Sequence, residues 1–211
     1  CIYLEEMELA DGSVIAFSGI RDRQRLLPPV AMQAVTDSLN CFKTDDRLVL
    51  VECTGNISDL RVADGITAIG DRVFQDGNLL SRIRLPATVT SIGRCAFAGC
   101  RWLTVVEHAV GVERIEAMAF SGCGRLERIE LSSCLRFLGP RAFENCTSLR
   151  EILIPEGVEE IPERAFFRCH SLEKIHLPST LKQIGREAFA FCKNLRMPEA
   201  GEHVIIGERA F

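Results

Sequence analysis

Phenylalanine recurs at Phe74, Phe97, Phe120, Phe143, Phe166 and Phe189, and the equal intervals between neighbours define a 23-residue period. A single unit of that length cannot bury an apolar face by itself, so a chain built on such a period must stack its units and share one continuous core. Other positions keep the same phase. Leu80, Leu103, Leu126, Leu149, Leu172 and Leu195 each follow a Phe by six, while Cys100, Cys123, Cys146, Cys169 and Cys192 follow by three, with Gly77 in the remaining unit.

Nine residues after the Phe stand Ile83, Val106, Ile129, Ile152 and Ile175, and eleven after it Leu85, His108, Leu131, Ile154 and Leu177. Apolar residues two apart predict a short strand, and Pro86, Pro155 and Pro178 end it because Pro has no N–H for a ladder. A second apolar wall precedes each Phe, as in Ile66 and Ile69, Val112 and Ile115, or Leu181 and Ile184. Gly70, Gly93, Gly139, Gly185 and Gly207 then mark a tight corner. Glu116 and Pro162 take that place in two units, so a positive φ is not obligatory there. Alternation sends the residues eight and ten after each Phe to solvent. These form two columns: Arg82, Val105, Arg128, Glu151 and Lys174 beside Arg84, Glu107, Glu130, Leu153 and His176.

The pattern I-x-x-I-G-x-x-A-F-x-x-C-x-x-L-x-x-I-x-L-P resembles the bacterial BspA-like, or treponemal-type, leucine-rich repeat over residues 57–211. The resemblance implies a leucine-rich-repeat solenoid of the α/β type, a strand-dominated right-handed superhelix of about seven coils. It also implies a non-catalytic protein, since many similar proteins are bacterial surface proteins that bind host or neighbouring-cell proteins. The solenoid is expected over residues 56–211, with Ile57, Leu60 and Val62 entering a coil whose Phe place is Val51.

Residues 1–55 lack the period and are read as a small mixed α+β cap. Met7, Leu9, Val14, Ile15 and Phe17 flank Asp11-Gly12 as a hairpin, a helix follows Pro28-Pro29 over 29–41, and residues 48–53 form a strand. The alternative for this segment is a separate small binding domain. At the other end the chain stops on a core-type residue, Phe211, which predicts either further sequence or self-association through an open C-terminal coil. Likewise, the start at Cys1 is read as the edge of a fragment, with a lipid-anchored cysteine as the alternative.

A net charge of −4, from 25 basic and 29 acidic residues, lacks the positive field of a nucleic-acid binder. The longest apolar runs, such as Leu48 to Val51, fall far short of a membrane span. No two of the ten cysteines have the spacing of a zinc or redox motif, and the periodic ones are read as buried free thiols rather than disulfides. The four histidines, His108, His170, His176 and His203, fall in no catalytic or metal motif, and no cofactor is expected. The leading expectation is a module that binds another protein on the exposed strand columns. The alternative is a structural spacer or intracellular scaffold with no ligand. Family resemblance favours the cell surface or secretion, while ten reduced cysteines favour the cytoplasm.

Overall fold

A computed structural model of the protein describes residues 6–8, 14–16, 42–44, 49–53, 58–62, 64–107, 109–198 and 200–211. The expected helix at 29–41, the Asp11-Gly12 turn, Ile57 and His108 lie outside the described residues. Strands β1 (Glu6–Glu8) and β2 (Val14–Ala16) pair antiparallel, with Met7 opposite Ile15. Strand β3 (Phe42–Thr44) pairs antiparallel with β4 (Val49–Cys53), and β4 pairs in parallel with β6 (Ala68–Ile69).

From β5 (Asp59–Arg61) onward the chain is a parallel solenoid with two strand walls. The front wall holds β5, β7 (Arg82–Arg84), β9 (Val105–Glu107), β11 (Arg128–Ile129), β13 (Glu151–Leu153) and β15 (Lys174–His176). The back wall continues from β4 and β6 through β8 (Ser91–Ile92), β10 (Arg114–Ile115), β12 (Phe137–Leu138), β14 (Glu160–Ile161), β16 (Gln183–Ile184) and β17 (Ile205–Ile206). Strand partners lie one period apart, such as Ile83 with Val106 and Ile152 with Ile175. The described residues contain strands and turns but no helix.

Between the walls run the three predicted columns. Seven phenylalanine rings, from Phe74 to Phe211, stack nearly parallel with centroids 5.1–5.4 Å apart. That separation follows from the strand spacing and lies in the favourable range for aromatic pairs. Backbone bonds lock the column, as Phe120 N–H donates to Ala142 O and Phe143 N–H to Ala165 O, both at 2.8 Å. Leu103, Leu126, Leu149 and Leu172 form a second buried column.

The cysteines form the third and do more than fill space. Each Sγ donates to the carbonyl of the Phe one coil earlier: Cys100 to Phe74 at 3.0 Å, Cys123 to Phe97 at 3.1 Å, Cys146 to Phe120 at 3.2 Å and Cys169 to Phe143 at 3.1 Å. Each of these carbonyls also accepts the amide three residues on, as Phe120 O does from Cys123 N–H at 3.1 Å, so the thiol occupies its second lone pair. All described cysteines are free.

One sequence expectation is corrected. Val51 is not in a Phe place: it is 43% exposed, while neighbouring Leu50 is buried opposite Ile69. The first step along the back wall, from Leu50 to Ile69, is therefore shorter than the repeat. The corner glycines have no positive φ, in line with Glu116 and Pro162 at the same place. Left-handed residues instead flank each Phe by two positions, as at Arg141 (φ 59°) and Asn145 (φ 60°) around Phe143. Gly93 is needed for close approach, since a Cβ there would stand 2.6 Å from Gly70 C. We therefore expect Gly93→Ala to cost about 1–3 kcal/mol by overpacking. Arg141→Gly should stay within about 1 kcal/mol of the parent, because relief of a strained φ offsets the added freedom of the unfolded chain. Urea denaturation of both variants checks the pair.

Candidate functional site

The front wall displays side chains as sequence alternation demands. Ile83, Val106, Ile129, Ile152 and Ile175 are buried, and the residues on either side of each face outward. Parallel register places Asp59, Arg82, Val105 and Arg128 in one row, and Arg61, Arg84 and Glu107 in the next. Further along, Glu151 adjoins Lys174 and Leu153 adjoins His176. Thus all ten expected surface residues lie on one wall, in two columns.

Their electrostatics divide the wall. At the N-terminal end Arg84 makes ion pairs with Asp59 at 2.9 Å and Glu107 at 2.8 Å, and Arg82 lies 3.9 Å and 3.6 Å from the same two carboxylates. This group is satisfied internally, and Glu107 and Arg84 are half-buried. Among the described residues Arg128 and Glu130 form no ion pair, so their charges face solvent unmatched. His176 Nε2 lies 2.9 Å from Glu151 Oε1, and this hydrogen bond, helped by Lys174 beside the carboxylate, holds the Glu151 carboxyl below its ordinary range. Leu153 is 59% exposed between these groups.

Two features escape the sequence reading. Asp59 belongs to the ion-pair group because its strand is the first of the front wall, one period before Arg82. Trp102 is 47% exposed, with the Arg125 guanidinium 3.8 Å from its ring centroid and Leu79 exposed in the equivalent place one coil earlier. Their common phase is visible in the sequence, since Leu79, Trp102 and Arg125 each stand five past successive phenylalanines. The last coil, as its sequence leads one to expect, exposes Met197, Ile205, Ile206 and Phe211, and Met197 and Phe211 line a cavity of about 270 Å³.

The remaining polar groups are occupied in the frame. His170 Nδ1 meets Phe191 O at 3.0 Å and His203 Nε2 meets Leu181 O at 3.1 Å, so neither adjoins a nucleophile. Cys169 points into the core while His170 bonds at the corner. Burial pushes the Cys100 thiol up to about 12 and raises Cys123, Cys146 and Cys169 as well, which keeps them protonated at neutral pH. Among the described residues no cluster of His, Cys, Asp and Glu is arranged to hold a metal, and no helix is long and apolar enough to cross a membrane.

Comparison with known proteins agrees with this geometry. The model of the BspA type leucine rich repeat region matches residues 67–196 with six copies. A solved leucine-rich repeat protein from Bacteroides ovatus is 29% identical, with a TM-score of 0.71 over 81% of this chain and 48% of its own. A leucine rich cell surface protein from Faecalibacterium prausnitzii is 27% identical, with a TM-score of 0.63 over 74% of this chain and 52% of its own. The match therefore spans about half the length of each of these two proteins. A leucine rich repeat protein from T. pallidum shares the fold at 23% identity and a TM-score of 0.54, over 70% of this chain and 82% of its own. No curated protein matches the chain. A family match over more than half the sequence, on a solenoid whose pairing repeats at the same period, establishes that the chain belongs to the BspA-type leucine-rich repeat family.

Proposed function

We propose that this protein is a non-catalytic protein-binding module that recognises another protein with the front wall of its solenoid. The carrying observation is that Arg128 and Glu130 keep unmatched charges near the exposed Leu153 on a wall backed by the buried columns. Binding to such a surface needs no ordering of a loop, and an apolar side chain ringed by charges supplies both an anchor and specificity. The similarity to a leucine rich cell surface protein favours a place at the cell surface.

Expected results separate this reading from that of a spacer. Charge reversal of Arg128 and Glu130 combined with Leu153→Asp should abolish capture of a specific partner, a loss of at least about a hundredfold in affinity. The melting temperature should move little, because all three side chains are exposed. Glu107 is left out because its reversal would also break the internal pair with Arg84. Binding by the triple variant as tight as by the parent would remove this wall from recognition, and a spacer would capture no specific partner with either chain.

A further inference from the structure

The coils are not equally bonded to one another. Along the front wall the amide seven past each Phe donates to the carbonyl one period back: Ser81 to Ser58 at 2.8 Å, Thr104 to Ser81 at 2.8 Å, Glu127 to Thr104 at 3.3 Å and Glu173 to Arg150 at 2.8 Å. Arg150 makes no such bond to Glu127, and among the described residues no ladder joins β11 to β13. On the back wall the matching bonds run from Thr90 to Thr67, Glu113 to Thr90, Arg136 to Glu113 and Lys182 to Glu159, at 2.7–2.9 Å. Glu159 makes none to Arg136, and among the described residues no ladder joins β12 to β14. These two openings are one, because β11 and β12 are consecutive in the chain and so are β13 and β14. Residues 127–139 thus face 150–162 without backbone bonds. The opening is bounded by Thr147 Oγ1 donating to Gly124 O at 3.0 Å and Arg141 N–H donating to Glu163 O at 3.0 Å.

Particular residues withdraw the donors. In other coils the amide four before the Phe bonds across, as Gly93 does to Ile69 at 2.8 Å and Gly185 to Ile161 at 2.7 Å, but Pro162 has no N–H to give Leu138. Nine before the Phe, Thr88 and Thr180 donate a hydroxyl to Ile66 O at 2.7 Å and Val158 O at 3.0 Å. Gly157 stands in that place with no side chain. Leu135 O is served instead by the Arg136 guanidinium at 2.8 Å, which also donates to Ser133 O at 3.0 Å and Glu156 O at 3.1 Å. Gly111 likewise lacks a side chain in that place while β8 and β10 stay paired, so the absent Pro162 amide is what sets this boundary apart, and the flexible Arg136 side chain bridges it.

We propose that the opening between 127–139 and 150–162 is a flexure seam, where the solenoid changes curvature and its C-terminal coils separate as a unit from the N-terminal ones. The seam passes between Arg128 and Leu153, so movement there alters their spacing on the front wall. Stacking at the Phe corner stays continuous across it, with centroids at 5.3 Å and 5.4 Å, which makes that corner the pivot.

Residue-resolved amide exchange on the full chain tests the seam. The amides of Arg150, Glu151, Glu159 and Glu160 should exchange on the order of tenfold or more faster than those of Glu173, Lys174, Lys182 and Gln183. Fraying from the C-terminal edge would give the opposite order. Pro162→Gly, which restores the missing donor and the residue common at this place, should slow exchange at Glu159 and Glu160 by a similar factor. Equal rates on the two sets of amides in the parent chain would overturn the proposal, as would rates at Glu159 and Glu160 unchanged by Pro162→Gly.

Discussion

Phe143→Ala is expected to lower stability by about 3–5 kcal/mol, the range for removing a fully buried aromatic ring and leaving its cavity. For a chain of 211 residues that corresponds to a fall of roughly 6–20 °C in melting temperature. The ring is fully buried, 5.3 Å from Phe120 and 5.4 Å from Phe166, so both neighbouring coils lose a packing partner. Backbone bonds at this corner do not involve the ring, which makes the loss one of packing and cavity alone. Phe211→Ala, at the exposed end of the same stack, should cost much less. Thermal unfolding of the two variants side by side checks both magnitude and order. Equal shifts would mean that the column does not carry the core.

Alkaline pH is expected to unfold the protein through its thiols. The ordinary thiol value is 9.0, and burial moves Cys100 up to about 12, with Cys123, Cys146 and Cys169 raised for the same reason. The folded state therefore holds these protons more tightly than the unfolded state. Their contribution is fully present below pH 9, and above it unfolding releases protons, so stability falls as pH rises toward the folded values. Each thiol raised in this way steepens the loss, by on the order of 1 kcal/mol per pH unit. Urea midpoints measured from pH 8 to 11 should fall beyond pH 9, and Cys146→Ala should make that fall shallower. Midpoints constant to pH 10.5 would show that the thiols are not sequestered.

The period makes most of this fold legible, because a core shared by stacked coils forces equivalent residues into equivalent positions. Phe, Leu and Cys announce themselves at Phe143, Leu149 and Cys146 for that reason. What the Cys ladder donates to is not legible, since a backbone carbonyl is common to every residue type and only the stacking brings Phe120 O to Cys146 Sγ. The left-handed backbone at Arg141 and Asn145 is hidden as well, because neither is Gly and the coil, rather than the residue, imposes the conformation. Val51 falls outside the Phe column because the back wall begins with a step shorter than the repeat.

On the surface, alternation alone sends Arg128, Glu130 and Leu153 outward. It cannot show that Arg84 and Glu107 neutralise each other across a coil boundary while Arg128 stays unmatched. That distinction depends on side-chain reach between residues one period apart. The flexure seam is harder still to read, because Pro162 looks like an ordinary departure from a consensus until the bond it omits is traced coil by coil.

The central claim is that residues one period apart lie side by side in a parallel stack. Through-space methyl contacts measured in solution on the isotopically labelled chain test it most directly. The stack predicts cross-peaks from Ile83 to Val106, Val106 to Ile129 and Ile152 to Ile175, and none between Ile83 and Ile129, which stand two coils and about 10 Å apart. Contacts from Ile83 to Ile129 as strong as those from Ile83 to Val106, or no contacts between residues one period apart, would contradict it.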